Sequence, residues 1–216
     1  MIKEYNDQYF LKRANNRNHL AYSNDIQFIK DNLSNVSSIL DYGCGEMYFT
    51  KYLKAISSKI HVYDPSTTIQ EMSDYENKYI KHHDEMKYDA ICLRGVIQHL
   101  PTPFLTISSL IKKNLKKNGF LIFLASPNTM SPFYFLNKTL PPLIRELNYW
   151  VPSTIELKKV MKNYNMNHIK TQYPYLKSGY ARPLSDHIKF LKNLLGRKSN
   201  YPFWYSMFNS IYQKNN

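Results

Sequence analysis

Three acids, two glycines and a histidine within residues 41–99 stand where a ligand site would need them. Asp41-Tyr42-Gly43-Cys44-Gly45 follows a short apolar approach at residues 37–40. Phe49, Leu53 and Ile56 then recur at helical spacing, so the stretch reads as strand, turn, helix. A Gly-x-Gly turn at that junction brings backbone N–H groups and a helix N-terminus up to a ligand with no Cβ in the way. Asp64 closes the next strand, residues 59–63, and an acid there is placed to accept ribose hydroxyls. The chemistry suggested is binding of a nucleotide cofactor. His99 lies just past a further apolar run, residues 88–93, and its ordinary pKa near neutrality suits a general base. The run His82-His83-Asp84 is rejected as a metal site, because adjacent residues on a strand point to opposite faces and cannot easily share one ion.

These residues need a scaffold, and the order of elements supplies one. Strands are expected at residues 59–63, 78–82, 88–93 and 120–125, with helices at 67–78 and 104–115, the latter stopping at Asn118-Gly119. The apolar strands alternating with helices argue for a parallel sheet covered on both faces. Ser153 with Glu156 three residues later predicts a capped helix to Asn163, and residues 168–175 and 205–212 a closing pair of strands. Residues 129–150 and 176–204 are longer than their connections require and are the candidate substrate lids.

The string ILDYGCGEMYF resembles the first motif of class I methyltransferases, Asp-x-Gly-x-Gly-x-Gly, and IHVYDPS resembles their second. KYDAICLRGVIQHLPTP and LKKNGFLIFLASPN are similar to the fourth- and fifth-strand motifs, in order, so the resemblance covers about residues 36–128. NYWVPSTIELKKVMKNYNM looks like the following helix in the ubiquinone-biosynthesis and bacterial polysaccharide-linked relatives. The resemblance implies a Rossmann-like α/β fold. Its sheet would be mostly parallel and seven-stranded, with helices on both faces and an antiparallel final strand. It also implies S-adenosylmethionine as cofactor. Gly43, Cys44 and Gly45 would approach it, and Asp41 would organise the turn or reach its amino group. Asp64 would bind its ribose and Asp84, or else Glu85, its adenine amine. Arg94 and Gly95 would leave the fourth strand toward the cleft. His99 would be the catalytic base, and Tyr9 a lid residue or simple packing.

Two departures stand out. Met47 occupies the place of the family's third glycine, where a side chain could narrow the pocket or point into helix packing. Arg94 and Gln98 stand where the ubiquinone branch carries acids implicated in metal binding, so no metal is expected.

One domain is expected over residues 1–216: an N-terminal lid or helical segment at 1–35, a cofactor core at 36–128 and a substrate-binding half at 129–216. The opening MIKEYNDQYFLKRANNR has charges where a signal peptide needs an apolar run, and the longest clean apolar run, residues 120–125, cannot cross a bilayer. A cytoplasmic protein without integral membrane association, with reduced Cys44 and Cys92, is the expectation. Residues 1–110 hold 12 Lys+Arg against 13 Asp+Glu, whereas residues 111–216 hold 17 against 3. That field favours an anionic partner, so the expected reaction is O-methylation of a carbohydrate or other small anionic acceptor in polysaccharide biosynthesis. RNA methylation is the alternative that the same charge leaves open, though only six arginines and no RNA-binding module support it. A non-catalytic protein of the same fold is another, motivated by Met47. A dehydrogenase ranks last, because its fingerprint wants a glycine at position 48, which is tyrosine.

Overall fold

The computed structural model describes residues 19–71, 80–81, 85–131, 149–173 and 207–215. Seven strands form one sheet: β1 (Ser38–Tyr42), β2 (Lys59–Tyr63), β3 (Ile80–Lys81), β4 (Tyr88–Arg94), β5 (Leu115–Pro127), β6 (Met166–Gln172) and β7 (Met207–Lys214). Their order is β3-β2-β1-β4-β5-β7-β6. All pairs from β3 to β5 are parallel, whereas β7 runs antiparallel to both β5 and β6. The expected fold class is therefore the observed one, including the reversed final strand.

Alternation along the strands explains the two-sided cover. Ile91, Leu93, Leu121 and Phe123 face one side and pack with Ile107 of α4 (Pro103–Ser109) and Leu157 and Met161 of α5 (Thr154–Asn163). Ala90, Cys92, Ile122 and Leu124 face the other, against Tyr22, Ile26 and Ile29 of α1 (His19–Asn32) and Phe49 and Leu53 of α2 (Tyr48–Leu53). Period-two burial on adjacent parallel strands is what such a sandwich requires. No helix among the described residues is long and apolar enough to cross a membrane.

β2 has the expected bounds, and Ser153 caps α5 with a reciprocal box: Glu156 N donates to Ser153 Oγ at 3.1 Å and Ser153 N to Glu156 Oε2 at 2.7 Å. Elsewhere the boundaries move. The helix expected at 104–115 starts at Pro103 and stays helical to Asn114, widening into a π-helix at Leu110–Asn114, and β5 follows directly from Leu115. The Asn118-Gly119 stop signal marks an irregularity inside β5 instead. Asn118 takes a φ of 58°, and the pairing with β4 shifts between Tyr88 and Ala90. α3 (Thr67–Gln70) stands at the start of the helix expected at 67–78, of which residues 72–78 lie outside the described residues. The lid at 176–204 lies outside the described residues, as do Tyr9, the His82-His83-Asp84 run and residues 132–148 of the other lid.

Candidate active site

The carboxyl ends of β1, β2 and β4 meet around the glycine turn. Gly43 N and Cys44 N both donate to Tyr63 O, at 2.7 and 3.1 Å, which pins the turn to the end of β2. Gly43 has a φ of 76°, and a Cβ built on it would stand 2.5 Å from Val96 Cγ2, so both conformation and space demand glycine. Asp64 binds the turn from the β2 side: Gly45 N donates to its Oδ2 at 2.8 Å, and Ser66 N to its Oδ1 at 3.0 Å. Asp41, just ahead of the turn on β1, accepts the Thr50 hydroxyl of α2 at 2.6 Å through Oδ2, which ties the strand to the helix that follows the turn.

Both acids are almost fully buried. Burial pushes the Asp41 carboxyl up to about 6, against the lowering effects of the Thr50 hydrogen bond and the Arg94 charge. Burial likewise raises Asp64 despite its two backbone donors. Two carboxylates in a poorly solvated turn favour a ligand that brings positive charge or hydroxyl donors.

Met47 resolves into packing. It is 1% exposed, clusters with Cys44, Val62 and Ile69, and takes a φ of 58° at the position before α2. The left-handed conformation is why a glycine suits this position, and the buried side chain offsets the strain without entering the cleft. Cys44 belongs to the same cluster. Burial and the carboxylates of Asp41 and Asp64 push its thiol far up, so it stays protonated, and its backbone N–H is the group it gives to the turn.

At the end of β4, Gly95 has a φ of 65° and nothing within 4 Å of a Cβ built on it, an open cradle beside the turn. His99 follows in a single 3-10 turn, Ile97–His99. Gln98 Nε2 donates to Gly95 O at 3.0 Å and lies 3.0 Å from His99 Nε2. An amide that donates to both makes His99 Nε2 an acceptor and places the imidazole proton on Nδ1. The main-chain carbonyl of Gln98 accepts from Tyr149 N at 2.8 Å, which ties the end of the 129–150 segment to this turn. Glu85 is exposed ahead of β4, and Asp84 lies outside the described residues.

The structure thus brings Gly43, Cys44, Gly45 and Asp64 into one hydrogen-bonded turn, with Asp41 leading into it and bonded to α2, and with Gly95 and His99 after the neighbouring strand. Arg94 turns elsewhere: its Nε donates to Asp25 Oδ2 of α1 at 2.9 Å. Sequence reasoning missed Asp25, Thr50, Val96 and Asn209. Asp25 did leave a signal, since it stands three residues after Tyr22 and four before Ile29, on the apolar stripe of α1.

A sheet of this order with its seventh strand reversed, and an acid-flanked glycine turn at its centre, is the class I methyltransferase fold. Residues 13–173 match a family described as a methyltransferase domain, and the chain belongs to that family. Solved structures agree in fold. A SAM-dependent methyltransferase from Archaeoglobus fulgidus matches at a TM-score of 0.67 and 16% identity, over 96% of this chain and 100% of that one. The plantazolicin methyltransferase BpumL, solved with SAH, matches at 0.60 and 15%, over 91% and 82%. The N-methyltransferase NodS from Bradyrhizobium japonicum WM9 matches at 0.57 and 12%, over 90% and 94%. A search of curated proteins found no match. The protein is an S-adenosylmethionine-dependent methyltransferase. The turn fits that cofactor, since Gly95 leaves open space beside it and the two buried acids suit its ammonium and ribose.

Proposed function

We propose that this enzyme methylates a hydroxyl on a small anionic acceptor, a carbohydrate first among them, with His99 as general base. The observation that carries the reading is the charge of residues 111–216, 17 Lys+Arg against 3 Asp+Glu, which supplies the half of the chain that follows the cofactor core. The cofactor, when bound, supplies a methyl group already activated on a sulfonium. The protein's part is then alignment, exclusion of water and removal of the acceptor's proton. Asp41, Gly43, Cys44 and Gly45 hold the cofactor turn, Asp64 takes the ribose, and Asp84 or Glu85 the adenine. Gly95 lets the chain turn without filling the cleft, and the Gln98 amide orients the His99 ring by donating to Nε2, a hydrogen bond that the acceptor hydroxyl must replace before that lone pair can take its proton. The neighbours act on chemically different acceptors, an N-methyltransferase and a plantazolicin methyltransferase among them, so the fold leaves the acceptor open.

Incubation with methyl-labelled cofactor and a fractionated cell extract tests the acceptor class. Label is expected in acidic glycan or small-molecule fractions, and label in RNA alone would reject the reading. With the acceptor so found, His99→Ala is expected to lower kcat about 100-fold with little change in cofactor affinity. An unchanged kcat would remove His99 from the chemistry.

A further inference from the structure

A chain of buried hydrogen bonds runs beside the cofactor turn and takes no part in the mechanism above. Arg94 Nε donates to Asp25 Oδ2 at 2.9 Å, Asn209 Nδ2 donates to Asp25 Oδ1 at 2.8 Å, and Ala125 N donates to Asn209 Oδ1 at 2.8 Å. Asp25 and Asn209 are both 0% exposed. The chain therefore joins α1 to the carboxyl ends of β4 and β5 and to the amino end of the antiparallel β7. Ala125 takes a φ of 49°, and the β5–β7 register shifts between Phe123 and Ser126, so the Asn209 side-chain carbonyl accepts the Ala125 N–H within this bulge.

A buried ion pair gives little net stability, because desolvation offsets most of its attraction, and a well-packed apolar pair would serve as well. Its position suggests another role. Asp41 pairs in register with Cys92, two residues before Arg94 on the adjacent strand. The guanidinium lies 4.4 Å from the Tyr22 ring and 5.3 Å from the ring of Phe49, whose neighbour Thr50 bonds Asp41. Arg94 thus reaches the cofactor turn through charge and through packing.

We propose that Asp25, Arg94 and Asn209 are positioning residues for cofactor binding. Asp25 and Asn209 fix the Arg94 guanidinium where its charge keeps the Asp41 carboxylate ionised beside a cationic ligand. This rests on the cofactor assignment and gives Arg94 an indirect part in it. The groups facing Asp41 are Thr50 on α2, Cys44 in the turn, Asp64 after β2, and Cys92 and Arg94 on β4, with Asp25 behind Arg94. Burial and the nearby carboxylates hold both thiols neutral, and Asp64 opposes ionisation. Arg94 is the cation among them that favours it.

The sign follows. Asp41 titrates at about 6 in the folded protein, so its carboxylate is mostly charged at pH 7, and removing the Arg94 charge moves the titration upward. The test is calorimetric binding of S-adenosylmethionine between pH 5.5 and 9, together with thermal melting of the ligand-free protein over the same range. Asp25→Asn combined with Arg94→Gln neutralises the pair without stranding a buried charge; Asp25→Leu with Arg94→Met does the same should that variant not fold. The neutral pair is expected to bind about fivefold more weakly at pH 7 and within twofold of wild type at pH 9. Arg94→Lys is expected to keep the wild-type pH midpoint. An equal loss at every pH, shared by Arg94→Lys, would reduce the relay to packing and overturn the proposal. Should wild type bind no cofactor, the cofactor assignment fails, and the melting profile still decides the relay. Its inflection near pH 6 must move upward in the neutral pair, and an unmoved inflection overturns the proposal.

Discussion

The two ends of the central strands handle their acids in opposite ways. At the amino end, Asp89 at the start of β4 accepts from Ser37 N and Oγ, Ser38 N and Oγ, and Lys116 Nζ, drawing β1, β4 and β5 together. Burial alone would raise its carboxyl, but Lys116, Ser37 and Ser38 outweigh that and hold it well below the usual carboxylate range. At the carboxyl end, Asp41 and Asp64 have fewer donors and are pushed up by burial. One end spends its carboxylate on holding strands together. The other keeps charged groups under-solvated, which costs stability and leaves them available to a ligand.

The largest expected effect comes from closing that second end. Gly43→Ala forces a Cβ to within 2.5 Å of Val96 Cγ2 at a φ of 76°, and should destabilise the protein by about 3 kcal/mol and abolish cofactor binding. Denaturant titration and calorimetry read both, and a variant that folds and binds normally would show that the turn tolerates a side chain. Asp89→Ala should cost about 2–3 kcal/mol at pH 7 while leaving cofactor affinity within twofold. Because the folded carboxyl is held low, this contribution is full above the unfolded value near 4 and is lost as pH falls through the folded one. The stability gap between Asp89→Ala and wild type should therefore shrink in acid. Asp41→Asn should act in the other direction, raising stability by about 1–2 kcal/mol at pH 8 while weakening cofactor binding. The folded carboxyl sits at about 6, above the unfolded value, so the penalty for charge is full above pH 6 and disappears as pH falls toward 4. A gain that persists unchanged at pH 4 would show that burial of charge is not its source.

How much of this was legible in the sequence divides along the same line. The glycine turn, Asp64 and the capped helix at 154–163 are written in residues a few positions apart, and local spacing suffices to read them. Met47 was not decidable from its neighbours, because both its backbone conformation and the packing with Val62 and Ile69 are set by β2 and α3. The relay was hidden for a related reason. Asp25 meets Arg94 and Asn209 across separations of 69 and 184 residues, and no local pattern links them. The Asn118-Gly119 signal was real, but it marks a kink within a strand and not the end of a helix.

The place of β7 between β5 and β6 bears on how the chain assembles during synthesis. Among the described strands β6 at Met166–Gln172 has only β7 beside it, so that edge of the sheet waits until Met207–Lys214 has been made. Until then Asp25 and Arg94 also lack Asn209, and the bulge at Ala125 has no acceptor for its N–H. A nascent chain halted before residue 207 would carry an unpaired strand edge and an incomplete polar network, a state exposed to misassociation and to holding chaperones. Completion of the cofactor end is thereby tied to the last strand translated among those described.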